Sequence, residues 1–146
     1  MKRRPLGTSE VQISPIIMGT WQAGKSMWTD IDDKESEKAI RAAFDAGITT
    51  FDTAEVYGNG HSERILGKAL EGIRQEAVIA TKVFSNHLKY KQVIGVCEQA
   101  LKNLRTDYID LLQIHWPPGS FGHVAVPMSE IFKALNELKS KGKIRA

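Results

Sequence analysis

Among its 146 residues the sequence has a single cysteine, Cys97, which excludes an intramolecular disulfide framework and suits a reducing cytoplasm. No run approaches the roughly 20 apolar residues that a membrane span needs. The basic start Lys2-Arg3-Arg4 has no apolar stretch behind it, so it does not read as a secretion signal. Excess charge is also scarce. Lys and Arg total 20 against 17 Asp and Glu, a net charge of +3, which is far from the dense basic patch that nucleic-acid binding requires. His61, His87, His115 and His123 fall at no ligand-like spacing, so no metal site is expected. The sequence has no G-x-S-x-G nucleophile elbow, no G-x-x-x-x-G-K-[ST] phosphate loop and no G-x-G-x-x-G dinucleotide fingerprint. The remaining composition is ordinary: 42% hydrophobic, 25% charged, 12 Gly and 5 Pro, a globular chain of about one domain.

A strand-then-helix rhythm organises that domain. Residues 1–14, around the turn cluster Gly7-Thr8-Ser9, read as a small β-hairpin. After Pro15, the run Ile16-Ile17-Met18 closed by Gly19-Thr20 reads as a buried strand entering a loop over 21–31. Asp32-Asp33-Lys34-Glu35 is a capping-box-like helix start; Ala39, Ile40, Ala43 and Phe44 form its apolar face and Gly47 its stop. A strand over 48–52 follows, then the Gly58-Asn59-Gly60 loop and a short helix opened by Ser62 and Glu63, with Ile65, Leu66, Ala69 and Leu70 inward. The third unit is a strand over 78–82 and a helix over 89–104, on which Val93, Cys97, Ala100, Leu101 and Leu104 recur at helical spacing. Cys97 thus reads as a packed small hydrophobe. The fourth is a strand over 108–115 and a helix with Pro127 near its first turn, Ile131, Phe132, Leu135 and Leu138 inward and Gly142 after its end. Ile144 opens the next strand.

The expected strand ends, at Met18, Asp52, Lys82 and His115, recur about every 30 residues, the length of one βα unit. Such alternation implies a parallel sheet with right-handed crossovers, either doubly wound or part of a barrel. A complete (β/α)8 barrel takes about 250 residues, so this length holds only part of one.

In parallel α/β sheets, reactive groups gather at the carboxyl ends of the strands. Here three successive strands end in Asp52, Lys82 and His115, and Tyr57 lies in a glycine-bounded loop just past Asp52. Together they make chemical sense as a proton-transfer site. A lysine cation beside the phenol would lower its pKa from about 10, and a carboxylate would hold the lysine charged. A histidine would polarise a carbonyl oxygen. Hydride would have to come from a cofactor. Each residue also has an ordinary reading: a loop carboxylate, a solvated lysine, a loop aromatic, a satisfied histidine.

The stretch Phe51-Asp52-Thr53-Ala54-Glu55-Val56-Tyr57-Gly58-Asn59-Gly60-His61-Ser62-Glu63-Arg64-Ile65-Leu66-Gly67 resembles the signature of the aldo-keto reductases. Met18-Gly19-Thr20-Trp21, Ile79-Ala80-Thr81-Lys82 and Gln113-Ile114-His115-Trp116-Pro117 resemble that family in the same order. The resemblance implies a hairpin followed by four βα units (15–143) and the start of strand five (144–146) of a TIM-type barrel. It implies reduction of an aldehyde or ketone by NADPH, with Tyr57 as general acid, Lys82 and Asp52 as its tuning pair and His115 orienting the carbonyl. Gly19, Thr20, Trp21 and Asp52 would meet the cofactor near its nicotinamide, and Trp21 and Trp116 would line an apolar substrate mouth. Most cofactor contacts are expected beyond Ala146. Two other readings stay open: a non-catalytic half-barrel that self-associates or binds a partner through its open sheet edges, and a regulatory redox-sensing subunit.

Overall fold

A computed structural model describes residues 1–146. The N-terminal hairpin pairs β1 (Arg4–Pro5) antiparallel to β2 (Gln12–Ile13). Ser14 lashes it to the main sheet: its buried Oγ accepts from Thr49 N at 3.2 Å and Thr50 N at 3.1 Å, while its own N–H donates to Thr50 Oγ1 at 2.8 Å. The sheet is parallel throughout, in the order β3 (Ile17–Gly19), β4 (Thr50–Asp52), β5 (Val78–Val83), β6 (Leu111–Ile114). Helices α1 (Asp33–Asp45), α2 (His61–Ala69), α3 (Tyr90–Leu104) and α4 (Met128–Ser140) follow the four strands in turn and pack on one another in sequence. No helix is long and apolar enough to cross a membrane.

The strands divide their residues between two faces, as their period of two dictates. Phe51, Ile79, Val83 and Leu112 join the buried core beneath the helices, together with Ile40, Leu66, Val93, Leu104 and Ile131. The residues between them in the strands, including Asp52 and Lys82, point to the opposite face, which no helix covers. There Ile17 is 47% exposed. Cys97 is wholly buried in the core, as its helical spacing implies, and burial pushes its thiol up to about 12.

Three helices end in the same way. Ile48 N reaches back to Ala43 O at 2.9 Å and Gly47 N to Phe44 O at 2.8 Å, a Schellman closure with Gly47 at φ 89°. Gly142, φ 69°, closes α4 likewise, as the sequence suggests. At the end of α3 the left-handed position is filled by Arg105, φ 54°.

Several elements differ from the sequence expectation. The second strand begins at Thr50 rather than Ile48, because Ile48 N is consumed in closing α1. The fourth covers only Leu111–Ile114; before it, Ile79 N is met by the Asp110 carboxylate, at 3.0 Å, instead of a backbone carbonyl. The short helix starts at His61, and Pro127 stands just before α4, not within it. Phe132 is not inward: α4 buries Ile131, Ala134 and Leu138, which leaves Phe132 on the next face, 52% exposed. Ala39 is likewise exposed. The expected fifth strand is a single parallel bridge, Ile109 to Ile144, extended by Leu112 N donating to Ala146 O at 3.0 Å.

Candidate active site

The strand register sets the site. Asp52 ends β4 opposite Gly19 on one side and Ala80 on the other, and Lys82 lies two residues further along β5 on the same face. Lys82 Nζ donates to Asp52 Oδ1 at 2.5 Å and to Thr53 O at 2.7 Å. The ladder runs on past β4: Thr53 N donates to Ala80 O at 2.9 Å and Glu55 N to Lys82 O at 3.3 Å. This carries the chain directly to the turn holding Tyr57.

That turn is seated by backbone contact. Gly58 has φ 64°, and a Cβ there would lie 2.0 Å from Gly24 O; a Cβ on Gly24 would lie 2.6 Å from the Tyr57 carbonyl carbon. Only two glycines allow the loop after β3 to touch the loop after β4. The contact brings the Trp21 and Tyr57 rings to 6.2 Å between centroids. Lys82 Nζ is 5.2 Å from the centre of the Tyr57 ring, and the His115 ring stands perpendicular to it at 5.7 Å. His115 is held by its own N–H donating to Val83 O at 2.9 Å. The structure thus gathers Asp52, Tyr57, Lys82 and His115 on the open face.

The electrostatics correct one expectation. The Tyr57 phenol is raised above its ordinary value, by burial first and by the negative charge of Asp52 second. Lys82, 5.2 Å from the ring centre and paired with Asp52 at 2.5 Å, does not reverse that direction. His115 is lowered by burial and by the Lys82 cation, with Asp52 opposing, so its imidazole is neutral at pH 7. Its Nδ1 is buried without a partner.

The remaining predicted residues take distinct places. Gly19 is exposed, with open space where a side chain would be. Thr20 is buried: its N–H donates to Asp52 O at 2.9 Å and its Oγ1 lies 2.8 Å from Ser62 Oγ. Trp21 and Trp116 are both half exposed, within a belt of rings. Trp28 meets Trp21 edge-on at 5.5 Å; Phe84 meets His115 at 5.7 Å; Phe121 stacks on Phe84 at 5.4 Å and abuts Trp116 at 5.2 Å.

Sequence reading singled out neither Phe84 nor Phe121 as site residues. Position past a strand end was the available signal for Phe84, and flanking Gly119 and Gly122 for Phe121. Two scaffold residues were noted only as a helix start. Ser62 Oγ donates to Thr20 O at 2.7 Å and accepts from Thr53 Oγ1 at 3.0 Å, joining β3, β4 and α2 beneath the site. Glu63, buried, accepts from Thr81 Oγ1 at 2.7 Å and Asn103 Nδ2 at 2.9 Å, and burial raises its carboxyl.

This architecture has close counterparts. An aldo-keto reductase of Bacillus subtilis (strain 168), YhdN, is 40% identical over 156 residues, covering 100% of this chain and 46% of that protein. The crystal structure of a thermostable aldo-keto reductase, Tm1743, in complex with the inhibitor epalrestat superposes with a TM-score of 0.87 at 35% identity, over 99% of this chain and 52% of that one. An aldo-keto reductase from Klebsiella pneumoniae in complex with NADPH gives 0.81 at 32% identity, over 92% and 44%. The chain therefore spans about half the length of the relatives it matches. The family profile described as Aldo/keto reductase family matches residues 15–146, the four parallel strands and their helices, and the chain belongs to that family.

Proposed function

We propose that these residues carry the proton-transfer half of an NADPH-dependent reduction of an aldehyde or ketone. The observation that carries this reading is the meeting of Tyr57, the Lys82–Asp52 pair and His115 on one open face, with the Tyr57 ring 5.2 Å from Lys82 Nζ and 5.7 Å from the His115 ring. A phenol raised above its ordinary value is fully protonated at neutral pH, which is the state a general acid needs. The neutral His115 imidazole donates a hydrogen bond to the carbonyl oxygen and polarises it without carrying a charge of its own. As hydride adds to the carbonyl carbon, Tyr57 gives its proton to the oxygen. The phenolate left behind faces the Lys82 cation, and Asp52 keeps that cation in place.

NADPH, when bound, supplies the hydride. The residues here fit its nicotinamide end: Gly19 leaves open space next to Asp52, and the Trp21 indole, two residues on and 41% exposed, lies against Tyr57. Trp116 and the rings beside it offer the substrate an apolar wall.

The test is an assay of NADPH oxidation with a model aldehyde, using a fusion of this chain to the portion of the Bacillus subtilis relative that follows the match. Activity is expected, and Tyr57→Phe is expected to lower kcat by about 10²–10⁴-fold, the worth of a positioned general acid. Equal turnover in Tyr57→Phe refutes the assignment. A second reading, self-association, is favoured by the uncovered sheet face around Ile17, 47% exposed. Light scattering on the 146-residue chain distinguishes it, since a monomeric mass excludes that reading.

A further inference from the structure

Glu55 lies two residues before Tyr57 and is used by nothing in the proposed chemistry, yet its carboxylate spans two loops. Oε1 accepts from Phe84 N at 2.6 Å and Oε2 lies 2.9 Å from His87 Nδ1, with the side chain only 17% exposed. Its backbone is fixed as well: Glu55 N donates to Lys82 O at 3.3 Å, and Glu55 O accepts from Gly60 N at 2.8 Å. Both carboxylate oxygens and the backbone N–H thus tie the Tyr57 turn to the end of β5 and the segment that leaves it, while the carbonyl closes the turn on itself. Phe84, the residue gripped, is the one whose ring packs edge-on against His115 at 5.7 Å and stacks on Phe121. A charge-assisted hydrogen bond to a loop N–H is among the stronger single contacts available to a chain segment outside a ladder.

We propose that Glu55 is a positioning residue that clamps the Tyr57 turn to the β5–α3 loop and so presses the Phe84 ring against His115, fixing the spacing of the general acid and the carbonyl-orienting group. The inference rests on the proton-transfer reading of Tyr57 and His115. Its structural consequence, a dry wall beside His115, is measurable without any turnover.

The groups facing His115 are the Lys82 cation, the Asp52 carboxylate and the Tyr57 phenol, with Phe84 between it and His123. Removing the Glu55 charge alone can only make a nearby imidazole harder to protonate. Opening the Phe84 wall admits water and makes it easier to protonate. The two effects have opposite sign, so one titration separates them.

The experiment is an NMR titration of the four histidine rings in the full 146-residue chain, with His115 assigned through a His115→Gln spectrum. In Glu55→Ala the His115 midpoint is expected to rise by about half a pH unit toward the ordinary histidine value. In Glu55→Gln, which keeps an acceptor for Phe84 N but lacks the charge, it is expected to stay or fall. An unmoved or lowered midpoint in Glu55→Ala overturns the proposal, even where the variant melts at lower temperature, because a merely structural contact predicts that pattern. Hydrogen exchange in the unaltered chain is a second reading that needs no variant. The Phe84 amide is expected to be protected as strongly as the β5 ladder amides, and exchange at an exposed-loop rate overturns the clamp. Neither result depends on whether Tyr57→Phe abolishes reduction, so failure of the clamp and failure of the proposed reaction remain separate outcomes.

Discussion

Gly58 stands so close to Gly24 that a single methyl group on it would sit 2.0 Å from the Gly24 carbonyl oxygen. The neighbour there is backbone on both sides, which cannot swing aside as a side chain would. The consequence reaches Tyr57, the residue just before Gly58.

Gly58→Ala is therefore expected to cost about 2 kcal/mol or more, combining a left-handed φ of 64° with a backbone clash. The surviving fold should hold Tyr57 away from His115. Thermal denaturation measures the first effect. Loss of the nuclear Overhauser contact between the two rings measures the second, and a variant that keeps both stability and contact contradicts this account.

Glu63 gives a pH signature. Its carboxyl is raised in the fold by burial, so the native state holds its proton more tightly than the unfolded chain does. Stability contributed by this group is then full below the ordinary glutamate range and lost as pH rises toward the folded value. The Thr81 and Asn103 hydrogen bonds offset part of that loss. In urea titrations, Glu63→Gln should fare worse against the parent chain in acid than at neutral pH. A difference independent of pH would show that Glu63 titrates alike in both states.

Arg105 occupies a left-handed position, φ 54°, that the ends of α1 and α4 give to glycine. Its only ionic contact is an exposed pair with Glu71 at 3.5 Å, of the kind worth well under about 1 kcal/mol. Arg105→Gly should relieve about 1 kcal/mol of backbone strain and lose some of that to unfolded-chain entropy. The expected result is a modest rise in melting temperature, and a fall would mean that the arginine makes a contribution beyond its backbone.

Cys97 should be silent toward thiol reagents. With no exposed surface and a thiol pushed up to about 12, it presents almost no thiolate near neutrality. Ellman's reagent is expected to label it only after urea is added, and prompt labelling of the native chain would show that α3 opens locally.

The βα rhythm was legible because strand and helix impose different periods; of the expected strand ends only Asp52 closes its strand, while Lys82 lies one residue before the end of β5 and His115 one residue after β6. Helix stops at Gly47 and Gly142 were legible for the same local reason, since a left-handed turn favours glycine. Phe132 misled because an apolar residue adjacent to a helical stripe looks like part of it; its neighbour Ile131 takes the buried face. Glu55, Ser62 and Glu63 had no periodic signature at all. Their partners, Phe84, Thr20 and Thr81, lie in other βα units, and a hydrogen bond between distant segments leaves no mark on local sequence. The direction of the Tyr57 shift was not legible for a related reason: the Lys82–Asp52 pair beside it was expected, but the burial that raises the phenol leaves no mark on the sequence.

Phe51 is wholly buried under the helices, and Asp52, one peptide bond later, grips Lys82 on the other face. Because the strand alternates, loss of one residue from the segment after Gly47, with the rest kept in register, would swing the carboxylate into hydrocarbon and the phenyl ring onto Lys82. The core and the Asp52–Lys82 pair would fail in the same event. Length between α1 and β4 should therefore be as constrained as the identity of Asp52 itself, whereas a substitution at Asp52 alone should free Lys82 and leave Phe51 and the core beneath it intact.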